Sequence, residues 1–189
     1  MRRIRIVIRM SEILERLHYH ARRASPCRRA QVKFEGHAMN DKTLDAELTK
    51  KIVESLNRVL ELELAGVVRY MHYSFMIFGH NRIPIVAWLR DQATESTSHA
   101  VQAGELITTF GGHPSLKIGS LLETHQHDVN EILKEAYEHE KQGLQAYYEL
   151  LELATGKSVL LEEYARDQIS AEEMHLADIR KMMRKPGSI

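Results

Sequence analysis

From Asp45 onward the sequence keeps a single hydrophobic period, with apolar residues every three or four positions, and only three stretches interrupt it. They are "FGHNRIP" from Phe78 to Pro84, "FGGHPSLKIGS" from Phe110 to Ser120, and "ATGKS" from Ala154 to Ser158, each carrying the glycines or prolines that punctuate helices. The pattern predicts four helices, at about 45–77, 83–110, 128–154 and 158–184, and no strand. Two connections are short and force antiparallel neighbours. The other spans residues 111–127, a length that extended chain carries over roughly 55 Å. A helix of residues 83–110 is only about 42 Å long. The connection can therefore run the length of a bundle and join two parallel helices, so the expected fold is all-α: a four-helix bundle with one long crossover between helices two and three.

A chain of 189 residues with 43% hydrophobic content has the size and the core of one domain. Its formal charge is zero, but residues 1–38 hold ten Arg or Lys against three Glu, and residues 39–189 hold 16 basic against 23 acidic side chains. The first segment reads as a disordered or non-native basic extension, a targeting piece or a start upstream of Met39 being the other readings. The body of the chain is then 39–189. The lone cysteine, Cys27, excludes an internal disulfide and fits a reducing cytoplasm. The longest apolar run, Ile83 to Leu89, is far short of the roughly 20 residues that span a bilayer, so no membrane partner is expected.

Followed at helical spacing, each apolar stripe is interrupted near its middle. Helix one carries Leu60, Glu63, Val67 and Tyr70 on one face; helix two Gln92, Ser96, His99 and Ala103; helix three Tyr137, Glu140 and Leu144; helix four Gln168, Glu172, His175 and Ile179. A buried, isolated carboxylate costs several kcal/mol or neutralises itself. A divalent cation holds several ionised together. Three glutamates and two histidines converging in this way imply a metal, and oxygen with imidazole donors and no thiolate suits iron or manganese, with zinc or copper able to use the same atoms. Tyr70 is expected in the core with its hydroxyl on a site carboxylate. The other histidines, His72, His80, His113, His125, His127 and His139, are expected in loops or on exposed faces, without a role.

On these residues the chain resembles the bacterioferritins over nearly all of Lys51 to Met183: "LELAGVVRY" with Glu63, "ATESTSHA" with His99, "EHEKQGLQAYYELL" with Glu140, and "ISAEEMHLAD" with Glu172 and His175. The resemblance implies a ferritin-like bundle and an intrasubunit iron site, di-iron or mononuclear, built from Glu63, His99, Glu140, Glu172 and His175. It also implies ferroxidase activity with dioxygen or peroxide as oxidant, iron storage, and a homo-oligomer such as a 24-subunit cage. Two positions depart from the family. Where it has a metal-bridging glutamate three residues before His99, this chain has Ser96, which leaves Glu95 as an additional candidate ligand although it is rotated about 100° around the helix. Where the family has a haem-ligating methionine, this chain has Thr97, so haem is not expected. The first departure leaves a second reading open, a metal-binding but catalytically impaired subunit. A third is a DNA-protecting, starvation-type ferritin using the basic segment; ligand candidates on all four helices of one chain argue against it, and against nucleic acid as a partner.

Overall fold

The computed structural model describes residues 44–122 and 124–187, so the expectations for residues 1–38 lie outside the described residues. Four helices account for the described chain: α1 (Ala46–Met76), α2 (Arg82–Thr109), α3 (Val129–Ala154) and α4 (Val159–Met182). Each lies within two residues of its expected span. No strand occurs among the described residues. No helix among them is long and apolar enough to cross a membrane.

The ends are where the local chemistry places them. Asp45, Asp128 and Ser158 cap α1, α3 and α4 by accepting from the backbone N–H of Leu48, Asn130 and Leu161, which satisfies donors that have no partner within the helix. α2 has no side-chain cap; it starts with Pro84 in its first turn, where a missing N–H costs nothing. α2 stops at Gly111, whose φ of 71° only glycine adopts freely.

Contacts between side chains set the topology. Along α1 and α3, Arg58 meets Glu149, Glu63 meets Tyr147, Tyr70 meets Glu140 and Tyr73 meets Glu135; the numbers run in opposite directions, so these helices are antiparallel. The short turn at Ile77–Asn81 makes α1 and α2 antiparallel as well. Hence α2 and α3 run parallel, and residues 110–128 are the crossover that this requires. It is laced to α1: the Asn57 side chain donates to His113 O and accepts from Ser115 N, Ser115 Oγ donates to Glu61, and Gly119 N donates to Glu61 O at 2.7 Å.

The core is divided. One apolar cluster gathers Ile52, Leu56, Leu60, Ile107, Leu150 and Leu161; the other gathers Tyr70, Ile77, Leu89, Ile132, Leu133 and Ile179. Between them lies a layer of buried polar side chains drawn from every helix: Glu63, Ser96, His99, His139, Glu140 and Glu172.

Candidate metal centre

Five side chains that the sequence singles out meet in this layer. Glu63, His99 and Glu172 present donor atoms that all lie within 4.8 Å of one another, and so do Glu140, Glu172 and His175. Glu172 belongs to both groups. His99 Nδ1 lies 3.4 Å from Glu63 Oε1 and 3.5 Å from Glu172 Oε1, and His175 Nδ1 lies 3.6 Å from Glu172 Oε2. Each histidine thus turns the same ring nitrogen inward.

Two tyrosines fix the outlying carboxylates. Tyr147 Oη donates to Glu63 Oε1 at 2.7 Å, and Tyr70 Oη donates to Glu140 Oε1, the core role expected of Tyr70. Both phenols are buried. Burial, reinforced by the adjacent carboxylate, pushes their pKa well above the ordinary value, so they stay protonated and serve as donors.

The carboxylates and imidazoles of the layer shift one another's proton affinity. Burial and the neighbouring Glu172 charge push Glu140 well above the carboxylate range. Burial likewise raises Glu63, against the opposing hydrogen bond to His99. Burial would raise Glu172 too, but contacts with His175, His99 and Glu140 outweigh it and hold that carboxyl down to about 2. His99 is the reverse case: burial lowers it, while Glu172 and Glu63 together carry it up to about 10. Glu172 likewise raises His175. Glu172 is thus the carboxylate whose charge is favoured, while Glu63, Glu140, His99 and His175 are each pushed toward their protonated forms; a proton on a donor atom has to leave before that atom can hold a cation.

Glu95 sits differently. Its Oε2 lies 3.1 Å from His175 Nε2, the ring nitrogen opposite the one facing Glu172. Ser96 is buried, and Thr97 turns its hydroxyl back to Ala93 O. Among the remaining histidines, His80, His113, His125 and His127 are exposed and His72 is half-buried on α1. The expectation for His139 is corrected: it is 5% exposed, packed inside the bundle beside Gly66 and Ser96. Burial, with the Arg69 charge, lowers its pKa to about 4 and leaves it neutral. His139 stands next to Glu140 and off the apolar stripe, so spacing alone sends it outward. The signal that could have found it is Gly66, a small residue opposite it on α1.

A family model for the ferritin-like domain matches residues 53–187, which is most of the chain and takes in most of α1 and all of α2, α3 and α4. The chain belongs to the ferritin-like family. Solved structures agree on the fold. A ferritin-like di-iron-carboxylate protein from Bacillus anthracis is 23% identical, with a TM-score of 0.70 over 74% of this chain and 99% of that one. The bacterioferritin of Desulfovibrio desulfuricans is 21% identical, with a TM-score of 0.67 over 72% and 80%. A dodecameric thioferritin from Bacteroides fragilis is 21% identical, with a TM-score of 0.63 over 70% and 84%. No curated protein matches the chain significantly. Within this ferritin-like bundle the donor set fits a metal: carboxylate and imidazole atoms converge, and Glu172 Oε2 is buried without a hydrogen-bond partner.

Proposed function

We propose that this ferritin-like chain binds Fe(II) in its polar layer, oxidises it with dioxygen or peroxide and passes the Fe(III) to storage. The observation that carries this reading is the sharing of Glu172 between two donor groups, an arrangement suited to two cations bridged by one carboxylate. Glu63 and His99 complete one position, and Glu140 and His175 the other. Iron here is the substrate. Two Fe(II) ions supply the two electrons that take dioxygen to hydrogen peroxide, or peroxide to water. The residues bind and orient: Tyr147 and Tyr70 hold Glu63 and Glu140 in place, and Glu95 accepts from His175 Nε2, which presents Nδ1 to the cation. On this reading Glu95 steers a ligand without being one.

Charge gives the second reading its support. With Ser96 in place of a carboxylate, Glu63, Glu140 and Glu172 bring three negative charges to two divalent ions. The partly exposed Glu95 offsets the remainder only from behind His175. The second cation is then held less firmly than the first, and turnover is slow. Anaerobic Fe(II) titration separates the outcomes. Two equivalents per chain followed by rapid ferric absorbance in air support ferroxidase function; one equivalent with slow oxidation supports the impaired subunit; no binding refutes both.

Self-association is part of the proposal. On α1, Val68, Met71 and Phe75 are exposed at helical spacing on the side away from the core, Phe78 is exposed in the turn that follows, and Leu116, Ile118, Leu121 and Leu122 of the crossover are exposed too. Apolar area of this kind favours contact with a second surface, and a homo-oligomer, in the fullest case a cage, supplies one. Light scattering showing only monomer at micromolar concentration would refute it.

A further inference from the structure

Two stretches of the chain repeat one another around the polar layer. Glu63 is followed seven residues later by Tyr70, and Glu140 seven residues later by Tyr147; Trp88 precedes His99 by eleven residues, and Tyr164 precedes His175 by eleven. The repetition breaks at Ser96, which stands where the second half has Glu172. In the fold the two halves serve each other crosswise. Tyr147 of α3 donates to Glu63 of α1, and behind Tyr147 stands Tyr164 of α4, edge-on, with ring centroids 6.0 Å apart and an interplanar angle of 70°. Tyr70 of α1 donates to Glu140 of α3, and behind Tyr70 stands Trp88 of α2, with centroids 6.2 Å apart at 82°. Each helical hairpin thus supplies a pair of aromatic rings to a carboxylate of the other.

We propose that Trp88 and Tyr164 are positioning residues, each tuning one cation position through the tyrosine it backs: Tyr164 the position of Glu63 and His99, Trp88 that of Glu140 and His175. The inference rests on the two-cation reading above. A phenol that swings carries its hydrogen bond with it, so a carboxylate is held only as firmly as the ring that donates to it. Tyr70 and Tyr147 are fully buried, and an edge-to-face neighbour on the adjoining helix fixes the plane of each ring. Tyr70 is also met by Tyr73 at 6.5 Å, but Tyr73 belongs to the same helix and moves with it. The Tyr164 hydroxyl is buried without a hydrogen-bond partner, so the ring is what this position uses. The competing role is bulk alone, apolar filling that any side chain of similar volume supplies.

Methionine separates the two roles, because it keeps the volume in a flexible chain and removes the ring. The full chain is titrated with Zn(II) by calorimetry, the binding events being assigned first with Glu63→Gln and Glu140→Gln. For Tyr164→Met, the event assigned to Glu63 is expected to weaken about three- to tenfold, the value of one edge-to-face pair. The other event should stay within about twofold. Trp88→Met is expected to do the reverse. Tyr164→Phe, which keeps the ring, should match the unmodified protein in both events. Leu replaces Met wherever a Met variant does not fold. Weakening of both events alike, or of neither, would overturn the assignment in favour of bulk. If the unmodified protein shows a single event, only one of the two Met variants should weaken it, and weakening by both would overturn the pairing. If the unmodified protein binds neither Zn(II) nor Fe(II), the metal-binding reading falls and this inference with it.

Discussion

Replacing Glu172 by Gln tests the shared carboxylate most directly. The substitution keeps the shape of a side chain that is 3% exposed and removes its charge. In the structure that charge faces His99 Nδ1 at 3.5 Å and His175 Nδ1 at 3.6 Å, one oxygen toward each donor group. Removing any other carboxylate, Glu63 for instance, strips a donor from one group only. Loss of a residue that merely supports a ligand costs about 10–100-fold in affinity. Loss of a direct anionic donor is therefore expected to reach at least about 100-fold, or about 3 kcal/mol, at each position. Calorimetric titration with Zn(II), and with Fe(II) under anaerobic conditions, measures this against Glu63→Gln as the control. Glu172→Gln should weaken both binding events, and Glu63→Gln one. A Glu172→Gln protein that keeps one equivalent at unchanged affinity would show that the two positions do not share this residue, and the two-cation geometry would have to be abandoned.

Protons give a second expectation. His99 holds its proton up to about pH 10 and Glu140 well above the carboxylate range, so metal binding at neutral pH should release protons, seen as a buffer-dependent enthalpy, and should weaken as pH falls. The metal-free fold behaves oppositely. The folded pKa of His99 exceeds its ordinary 6.5, so its contribution is complete below pH 6.5 and is lost as pH rises toward 10; urea unfolding of apoprotein across that window should show falling stability. Glu95→Gln should cost about 10–100-fold in affinity at the His175 position with stoichiometry unchanged; loss of a whole equivalent would make Glu95 a ligand instead. Gly66→Ala gains up to about 1 kcal/mol of helix propensity. It also forces a contact on Ser96 Oγ and His139 Nε2 that costs about 1–3 kcal/mol. The net change in urea unfolding should be destabilising, and a stabilised variant would contradict the close packing.

The bundle was legible in the sequence because the two signals that define it are local. A helical period needs no partner to be seen, and the glycines and prolines between Phe78 and Pro84, Phe110 and Ser120, and Ala154 and Ser158 mark where it breaks. Glu63, Glu140 and Glu172 stood out because a charge on an apolar stripe contradicts its surroundings. What escaped was long-range. Nothing in "EHE" says that His139 turns inward beside Glu140, since its burial depends on Gly66 of another helix. The place of Glu172 in both donor groups and the contact of Glu95 with His175 likewise depend on how α2 and α4 are placed, which period alone does not define.

The crossover carries a consequence for how this chain tolerates change. Long connections between helices are ordinarily where insertions accumulate and where new termini are best introduced. Here the backbone of Gly119 is bonded to the Glu61 carbonyl and packs tightly on it: a Cβ there would sit 3.0 Å from that oxygen. With Asn57 and Ser115 making three more ties nearby, added length at residues 113–119 would have to break contacts that run directly over the helix carrying Glu63. The turns at 77–81 and 155–158 offer the permissive sites, so a circular permutant cut in either turn keeps the strap and, with it, the alignment of α1 on which Glu63 depends.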